Sequence, residues 1–177
     1  MNIQIYRGVD TRTGDWAYGN HLALEGYHFI VPTTNILSLS DVENPKEALQ
    51  DAMYITVHPN SVGRRVGFKD KKSIIMFEGD IIKMPVTGNK DYHGKFTFKE
   101  IIYRNGQWML SYLKSEKGFK FPTGYTVGSL VDEILDYSKD AYFSDDYFDE
   151  LPLSNFEVVG SRFFNPEYIN NEETTRT

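Results

Sequence analysis

Two acidic residues that flank a glycine, Glu78 and Asp80, are the first candidates for chemistry in this chain. Side chains two residues apart in an extended strand point to the same face, so the two carboxylates could share a divalent cation or exchange a proton with a substrate. A metal ion needs further ligands, and no Asp-x-Asp-x-Asp run or histidine pair follows nearby. In the structural alternative, Gly79 bends the chain, Asp80 accepts backbone N–H groups and Ile81 begins a strand. We favour the turn.

Other signals of catalysis or metal binding are weak. The chain has no cysteine, which excludes disulfides, thiolate zinc sites and a cysteine nucleophile. Neither a Gly-x-Ser-x-Gly elbow, a phosphate-binding loop nor a His-Glu-x-x-His motif is present. We predict no catalytic residue, no metal site, no cofactor and therefore no enzyme. The histidines, none of which stands at metal-ligand spacing to another, are His21, His28, His58 and His93.

A basic segment lies directly upstream of the acidic pair. We call it the basic rim, and it comprises Arg64, Arg65, Lys69, Lys71 and Lys72. Together with the aromatic ring of Phe68 it could bind nucleic acid by charge and base stacking. Asp70 and Glu78 interrupt it, however, and the whole chain has a net charge of −6. We therefore favour a solvated hairpin rim, or a surface that pairs with an acidic segment of another subunit.

Negative charge is concentrated near the C-terminus. Residues 1–124 carry 16 Lys and Arg against 13 Asp and Glu, whereas residues 125–177 carry 3 against 12. Within the second part lies an acidic run, Asp145, Asp146, Tyr147, Phe148, Asp149 and Glu150. We rank three interpretations of this run in order: a solvated loop held by its aromatic residues, a docking segment for a basic partner, and imitation of nucleic-acid charge by an inhibitor protein.

The elements that must position these residues are mainly strands. Aromatic residues make up 15% of the 177 residues, and they favour half-buried strand surfaces. Two apolar runs around Asn105-Gly106 predict a β-hairpin, and a phase shift between Phe98 and Ile101 predicts a bulge in its first strand. Residues 24–32 predict one buried strand that ends at a proline.

Two short helices and one domain complete the predicted organisation. Capping residues favour a helix over 45–53, and an apolar stripe favours another over 129–138. Neither a signal peptide nor a membrane-spanning segment is visible, so we expect a cytoplasmic location. The predicted boundaries are a single domain over 1–170, subdomains over 1–78 and 79–165, and a flexible tail over 170–177.

Three blocks of the sequence resemble the YopX family of phage and prophage proteins. The segment VGFKDKKSIIMFEGDII, residues 66–82, is similar to the family pattern TGLKDKNGKxIYEGDIV. The segment IYRGVDTRTGDWAYG, residues 5–19, is similar to KFRAWDKxxxxWxYG, and FEVVGSRFFNPEYI, residues 156–169, is similar to xEVIGNIYENPEL. Two departures are Ser73, where the family has a turn glycine, and Ser161-Arg162, where it has Asn-Ile.

This resemblance implies a β-rich fold with barrel-like parts, a phage or prophage origin and no established activity. The structural motif that the blocks imply consists of Gly67, Asp70, Glu78, Gly79, Asp80, Gly160 and Pro166. We expect a mainly β fold in which antiparallel strands form two barrel-like, SH3-like halves. The predicted core consists of Tyr6, Trp16, Phe29, Ile55, Ile75, Ile81, Phe98, Ile102, Trp108, Leu110, Leu130, Ile134 and Val158.

The predicted function is that of a non-enzymatic accessory protein in the cytoplasm of a bacterial host. It would act by binding a protein, either another copy of itself in a homo-oligomer or a host factor, through the basic rim or the acidic run. The alternative is a nucleic-acid-binding SH3-like module that uses the rim from Arg64 to Lys72, which the overall acidity disfavours. A third hypothesis is an acidic inhibitor of a host or defence protein. We predict no membrane partner.

Overall fold

In the computed structural model the chain forms two compact units, Met1–Arg65 and Val66–Thr177. The sequence predicted this division after residue 78. It lies earlier because Val66, Phe68 and Met76 are part of the core of the second unit. The residues that the structure describes are 5–32, 53–86, 94–116, 127–130, 152–153 and 155–169.

The first unit is an antiparallel sheet. Its strands are β1 (Tyr6–Val9), β2 (Trp16–Leu24), β3 (Tyr27–Val31) and β4 (Ile55–Val57), and the start of β5 (Gly63–Asp70) pairs with β1. The strand order is β5-β1-β2-β3-β4. A bridge between Asp10 and Val57 connects the end of β1 to β4, and a 3-10 helix, Pro59–Ser61, leads into β5.

A tight turn at Glu25 and Gly26 separates β2 from β3. Both residues have a positive φ, 51° and 85°. The strand predicted over residues 24–32 is present as β3 and ends before Pro32, but its predicted start was wrong, because the chain reverses at Glu25-Gly26 and β3 pairs back onto β2. The reversal places Ile30 in the core of the unit, where it packs with Ala17 and Val57.

The second unit contains a five-stranded antiparallel sheet. Its strands are β7 (Asp80–Pro85), β8 (Phe96–Arg104), β9 (Gln107–Ser115), β10 (Val127–Ser129) and β12 (Glu157–Ser161), in the order β10-β9-β8-β7-β12. The later residues of β5 pair with β6 (Ile75–Phe77) and, in parallel, with β11 (Pro152–Leu153). A second 3-10 helix, Pro166–Tyr168, follows β12.

The hairpin predicted at Asn105-Gly106 is confirmed. Both residues have a positive φ, 53° and 81°, as a two-residue turn of type I′ requires. Arg104 and Gln107 face each other at the ends of β8 and β9. The register of this pair shifts between Phe98 and Lys99, but the extra residue lies on β9, because Phe98 is opposite Lys114 and Lys99 is opposite Tyr112. The bulge predicted in β8 was therefore wrong.

Burial agrees with the predicted core only in part. Ile81, Leu110 and Leu130 are fully buried. Ile75 was wrongly predicted to be buried: it is 38% exposed, while its neighbour Met76 is at 0%. Ile134 lies outside the described residues. The partly buried members of the predicted core are Tyr6, Trp16, Phe29, Ile55, Phe98, Ile102, Trp108 and Val158.

The mainly β fold is confirmed, but in the described part of the chain neither sheet closes into a barrel. The predicted helix over 45–53 lies almost entirely outside the described residues. Of the predicted helix over 129–138, the structure describes Ser129, which ends β10, and Leu130, which is buried. The described residues include no helix with the length and apolar character needed to span a membrane.

Candidate functional site

The turn between β6 and β7 explains the acidic pair with its glycine. Gly79 has a φ of 82°. Its N–H donates to the carbonyl of Ile101 at 2.8 Å, and its carbonyl accepts the N–H of Arg162 at 2.9 Å. Asp80 is 1% exposed, and its Oδ2 accepts the N–H of Phe77 at 2.8 Å. Asp80 therefore closes the turn.

Glu78 points to a different backbone amide. Its Oε1 accepts the N–H of Tyr103 at 3.4 Å, so the carboxylates of Glu78 and Asp80 are bound separately. Among the described residues, no three His, Cys, Asp or Glu side chains converge to hold a metal ion. This geometry favours a structural role for the acidic pair.

A buried carboxylate lies beside the turn. Glu100, on β8, is 7% exposed, and its Oε1 lies 3.0 Å from Nη1 of Arg162. Burial raises the pKa of Glu100, while the Arg162 charge acts in the opposite direction and Glu78 adds to the increase. The ion pair joins β8 to the segment after β12. It also shows that Arg162, which departs from the family pattern, has a partner within the chain.

Asp70 is the most extensively bonded carboxylate of the basic rim region. It is 0% exposed. Its Oδ1 accepts the N–H groups of Lys72 and Ile74, both at 2.8 Å, and its Oδ2 accepts the N–H of Val158 at 3.0 Å. One side chain thus closes the turn between β5 and β6 and attaches that turn to β12. The turn includes Ser73, whose φ is 63°.

Two lysines of the basic rim are bound within the chain. Lys71 Nζ and Lys72 Nζ each lie 2.6 Å from a different oxygen of Glu157 on β12. The pKa of Lys72 is raised, mainly by this hydrogen bond to Glu157. Glu157 thus reduces the positive charge that the rim could offer to phosphates, which weakens the nucleic-acid alternative.

The other rim residues are divided between the units. Arg64 and Arg65 belong to the first unit, and Lys69 belongs to the second. Arg64 lies opposite Tyr6 in the pairing of β5 with β1. The acidic run over 145–150 lies outside the described residues, so its predicted pairing with the rim stays a prediction.

The charge on Glu157 makes a testable contribution to stability. Hydrogen bonds from Lys71 and Lys72 lower its pKa from 4.5 to about 2. Between these values the unfolded chain binds more protons than the folded chain, so stability falls as the pH falls through this window. We expect wild type to unfold at a higher urea concentration than Glu157→Gln at neutral pH, and this advantage to shrink toward pH 2.

A urea titration at several pH values, followed by tryptophan fluorescence, measures this effect. The matched control is Asp15→Asn, which removes a charge from an exposed turn. A difference between wild type and Glu157→Gln that stayed constant down to pH 2 would contradict the predicted link.

The segment after β12 is folded back on the strand. Asn165 Oδ1 accepts the N–H of Ser161 at 3.2 Å, and the N–H of Asn165 donates to the carbonyl of Ser161 at 2.8 Å. A side chain at Gly160 would lie 2.8 Å from Cγ of Asn165. Pro166 begins the 3-10 helix that follows.

In the first unit, a contact between two side chains likewise joins paired strands. Arg7 is 7% exposed, and its guanidinium carbon lies 4.1 Å from the ring centroid of Trp16 on the paired strand β2.

A comparison with known families finds a match to the family described as YopX protein over residues 5–170. The chain belongs to the YopX family. No curated protein matches it.

In this YopX protein, the motif residues that the sequence singled out are mainly structural. Asp70 and Asp80 accept backbone N–H groups, and Gly79 permits the turn between β6 and β7. Gly67 lies inside β5. The family blocks therefore mark positions that hold strands together, and they leave open which surface meets a partner.

A surface that the sequence analysis missed lies on the β2–β3 hairpin. Leu22 faces Phe29, and Leu24 faces Tyr27, so these side chains share one face of the hairpin. The ring of Tyr54 meets that of Phe29 edge to face, with centroids 5.1 Å apart. Leu22 is 52% exposed, Leu24 60%, Tyr27 63% and Tyr54 61%. We call these five residues the hairpin face.

Two histidines, whose contact no sequence pattern indicated, also meet on this hairpin. His21 Nε2 lies 2.9 Å from His28 Nδ1. Their positions are diagonal across the turn, since His21 faces Ile30 and His28 faces Ala23. Burial, followed by the charge of His28, lowers the pKa of His21. Recognising the turn at Glu25-Gly26 in the sequence would have revealed both this pair and the hairpin face.

Proposed function

We propose that this YopX protein is a non-enzymatic phage accessory protein that acts in the bacterial cytoplasm by binding protein. Its contact surface is the hairpin face, and its partner is a second copy of the same chain. The observation that carries this proposal is the exposure of three large side chains on one face of the hairpin, Leu22, Leu24 and Tyr27, together with that of Tyr54 beside Phe29. Contiguous exposed apolar surface of this kind is typical of sites where proteins associate.

The composition of the hairpin face supports a protein partner. It contains three aromatic and two leucine side chains and no charged one. Cores of protein interfaces are enriched in aromatic residues and depleted of charged ones. A nucleic-acid partner would need exposed cations instead, and in the rim two of the lysines are bound to Glu157.

The absence of charge on these five residues also favours a second copy as the partner. In a two-fold symmetric interface each patch meets the same patch of the other copy. A charged residue near the axis would therefore face a residue of the same charge. The chain has a net charge of −6, and two copies repel at long range. The hairpin face lets them meet without adding repulsion at the point of contact.

Sedimentation equilibrium of wild type and Leu24→Glu tests the proposal. Wild type is expected to dimerise at micromolar concentration, and Leu24→Glu is expected to weaken the dimer about a hundredfold, because two leucine contacts are lost in a symmetric interface. The matched control is Ile74→Glu, which introduces the same charge at a 45% exposed isoleucine in the second unit.

The dependence of dimerisation on salt concentration distinguishes a dimer formed through the hairpin face from head-to-tail pairing of the basic rim with the acidic run. Raising the salt concentration from about 50 to 300 mM screens the repulsion between two acidic copies and is expected to strengthen the hairpin dimer. Pairing of opposite charges would instead weaken with salt. A monomeric wild type, or a dimer that Leu24→Glu leaves intact, would refute the hairpin interface.

A further inference from the structure

The His21–His28 pair has the geometry of a shared-proton hydrogen bond. The two ring nitrogens are 2.9 Å apart, and the ring centroids are 5.0 Å apart. The centroid separation is close to the sum of the nitrogen separation and the two ring radii. The rings therefore meet end to end, although their planes differ by only 25°. One imidazole donates its N–H and the other accepts it, so the acceptor nitrogen must carry no proton.

This bond links the two strands that carry the hairpin face. His21 is on β2 and His28 is on β3, and both lie on the opposite side of the hairpin from Leu22, Leu24, Tyr27 and Phe29. On that side they lie next to Ile30, which is buried in the core of the first unit. The pair therefore joins β2 to β3 on the side of the hairpin that includes Ile30, while the other side is exposed.

We propose that the His21–His28 pair is a pH-sensitive link that keeps the hairpin face assembled, so that acidification releases the bound partner. The release rests on the proposed protein-binding function, whereas the link itself can be tested in the isolated chain. When both rings are protonated, the acceptor is lost and two positive charges face each other at hydrogen-bonding distance.

The groups around the pair offer little compensation for that charge. From β1, the ring of Tyr6 lies 5.4 Å from that of His21, and its side chain carries no carboxylate. From β5, Arg64 is the register partner of Tyr6 and is itself cationic. The paired positions of β4 are Ile55, Thr56 and Val57, which do not titrate. Glu25 is in the exposed turn between the strands.

The direction of the pH effect follows from these neighbours. Burial and the proximity of His28 lower the pKa of His21 below 6.5 in the folded chain. The unfolded chain therefore binds protons first as the pH falls. The link is fully present above pH 6.5 and is lost as the pH falls through the lowered pKa of His21, because a singly protonated pair still shares one hydrogen bond. Partner binding is expected to weaken over the same interval.

Hydrogen exchange of the β2 and β3 amides tests the link without any partner. When the pH changes from about 7.5 to 5.5, the protection of these amides against exchange is expected to fall about tenfold in wild type relative to His28→Gln, because glutamine does not titrate. His21→Gln is the second variant, and His58→Gln, at an exposed histidine, is the matched control that should follow wild type. Equal loss of protection in wild type and in both pair variants would overturn the link.

Sedimentation equilibrium at the same two pH values tests the release. Wild type is expected to be dimeric near pH 7.5 and to dissociate about tenfold more readily near pH 5.5, whereas the dimer of His28→Gln is expected to be insensitive to pH. A dimer of wild type that is equally stable at both pH values would overturn the release. A monomer at both pH values would refute the protein-binding function, and the exchange experiment would still decide on the link.

Discussion

Asp70→Ala is expected to destabilise the second unit by about 3 to 5 kcal/mol, because the change removes one fully buried acceptor from three backbone amides. Each amide left without a partner in a buried site costs on the order of 1–3 kcal/mol, and solvent can reach the turn amides of Lys72 and Ile74 in part. A loss of this size is a large fraction of the stability of an ordinary domain. Urea denaturation followed by far-ultraviolet circular dichroism measures it.

Two further variants make the result specific. Asp70→Asn keeps one oxygen for the turn but can present an N–H₂ group to the N–H of Val158, so we expect an intermediate loss. Asp10→Ala is the matched control, since Asp10 accepts the N–H of Arg12 in a turn open to solvent, and its loss should destabilise the chain clearly less. An Asp70→Ala protein as stable as Asp10→Ala would show that the buried carboxylate does not hold the turn to β12.

Local chemistry made several parts of the fold predictable. The Asn105-Gly106 turn needs two residues with positive φ, and this dipeptide is well suited to supply them. By contrast, the change of phase between Phe98 and Ile101 did not mark a bulge in β8, which pairs with β7 in unbroken register. The assignment of Glu78-Gly79-Asp80 to a turn depended only on how glycine and aspartate behave beside a strand.

Alternating patterns did not determine which residue of a short strand faces the core. Ile74, Ile75, Met76 and Phe77 are all apolar, so a strand in this segment can be drawn with either phase. The structure buries Met76 and exposes Ile75. The boundary between the units was missed for a related reason, because the sequence shows that Val66 and Phe68 are apolar but not which core they join.

The contacts that define the candidate site join residues far apart in the chain. Glu157 binds Lys71 and Lys72 across more than eighty residues, so counting charges gave a basic rim without its intramolecular partner. His21 and His28 are close in sequence, but their contact depends on a turn that was predicted to be extended chain. In both cases strand register decides the contact, and register is a property of the folded sheet.

Gly19→Ala is expected to destabilise the first unit by more than about 3 kcal/mol, because a methyl group there would collide with backbone atoms. An added Cβ would overlap the carbonyl oxygen of Val31 and lie 2.7 Å from its carbonyl carbon and 2.9 Å from Cα of Pro32. Backbone atoms cannot swing aside as the end of a side chain can, so β3 would have to move away from β2. That movement would also separate the histidine pair and distort the hairpin face.

Gly14→Ala is the matched control for this prediction. Gly14 has a φ of 77°, and an added Cβ meets no atom within 4 Å, so the change costs only backbone strain of about 1 kcal/mol. Urea denaturation compares the two variants, and hydrogen exchange of the β2 and β3 amides shows whether the hairpin opens. If Gly19→Ala were no less stable than Gly14→Ala, the close approach of β2 and β3 at this position would be wrong. A Gly19→Ala protein that stays folded but becomes monomeric would tie assembly to hairpin geometry, since this residue is not part of the hairpin face.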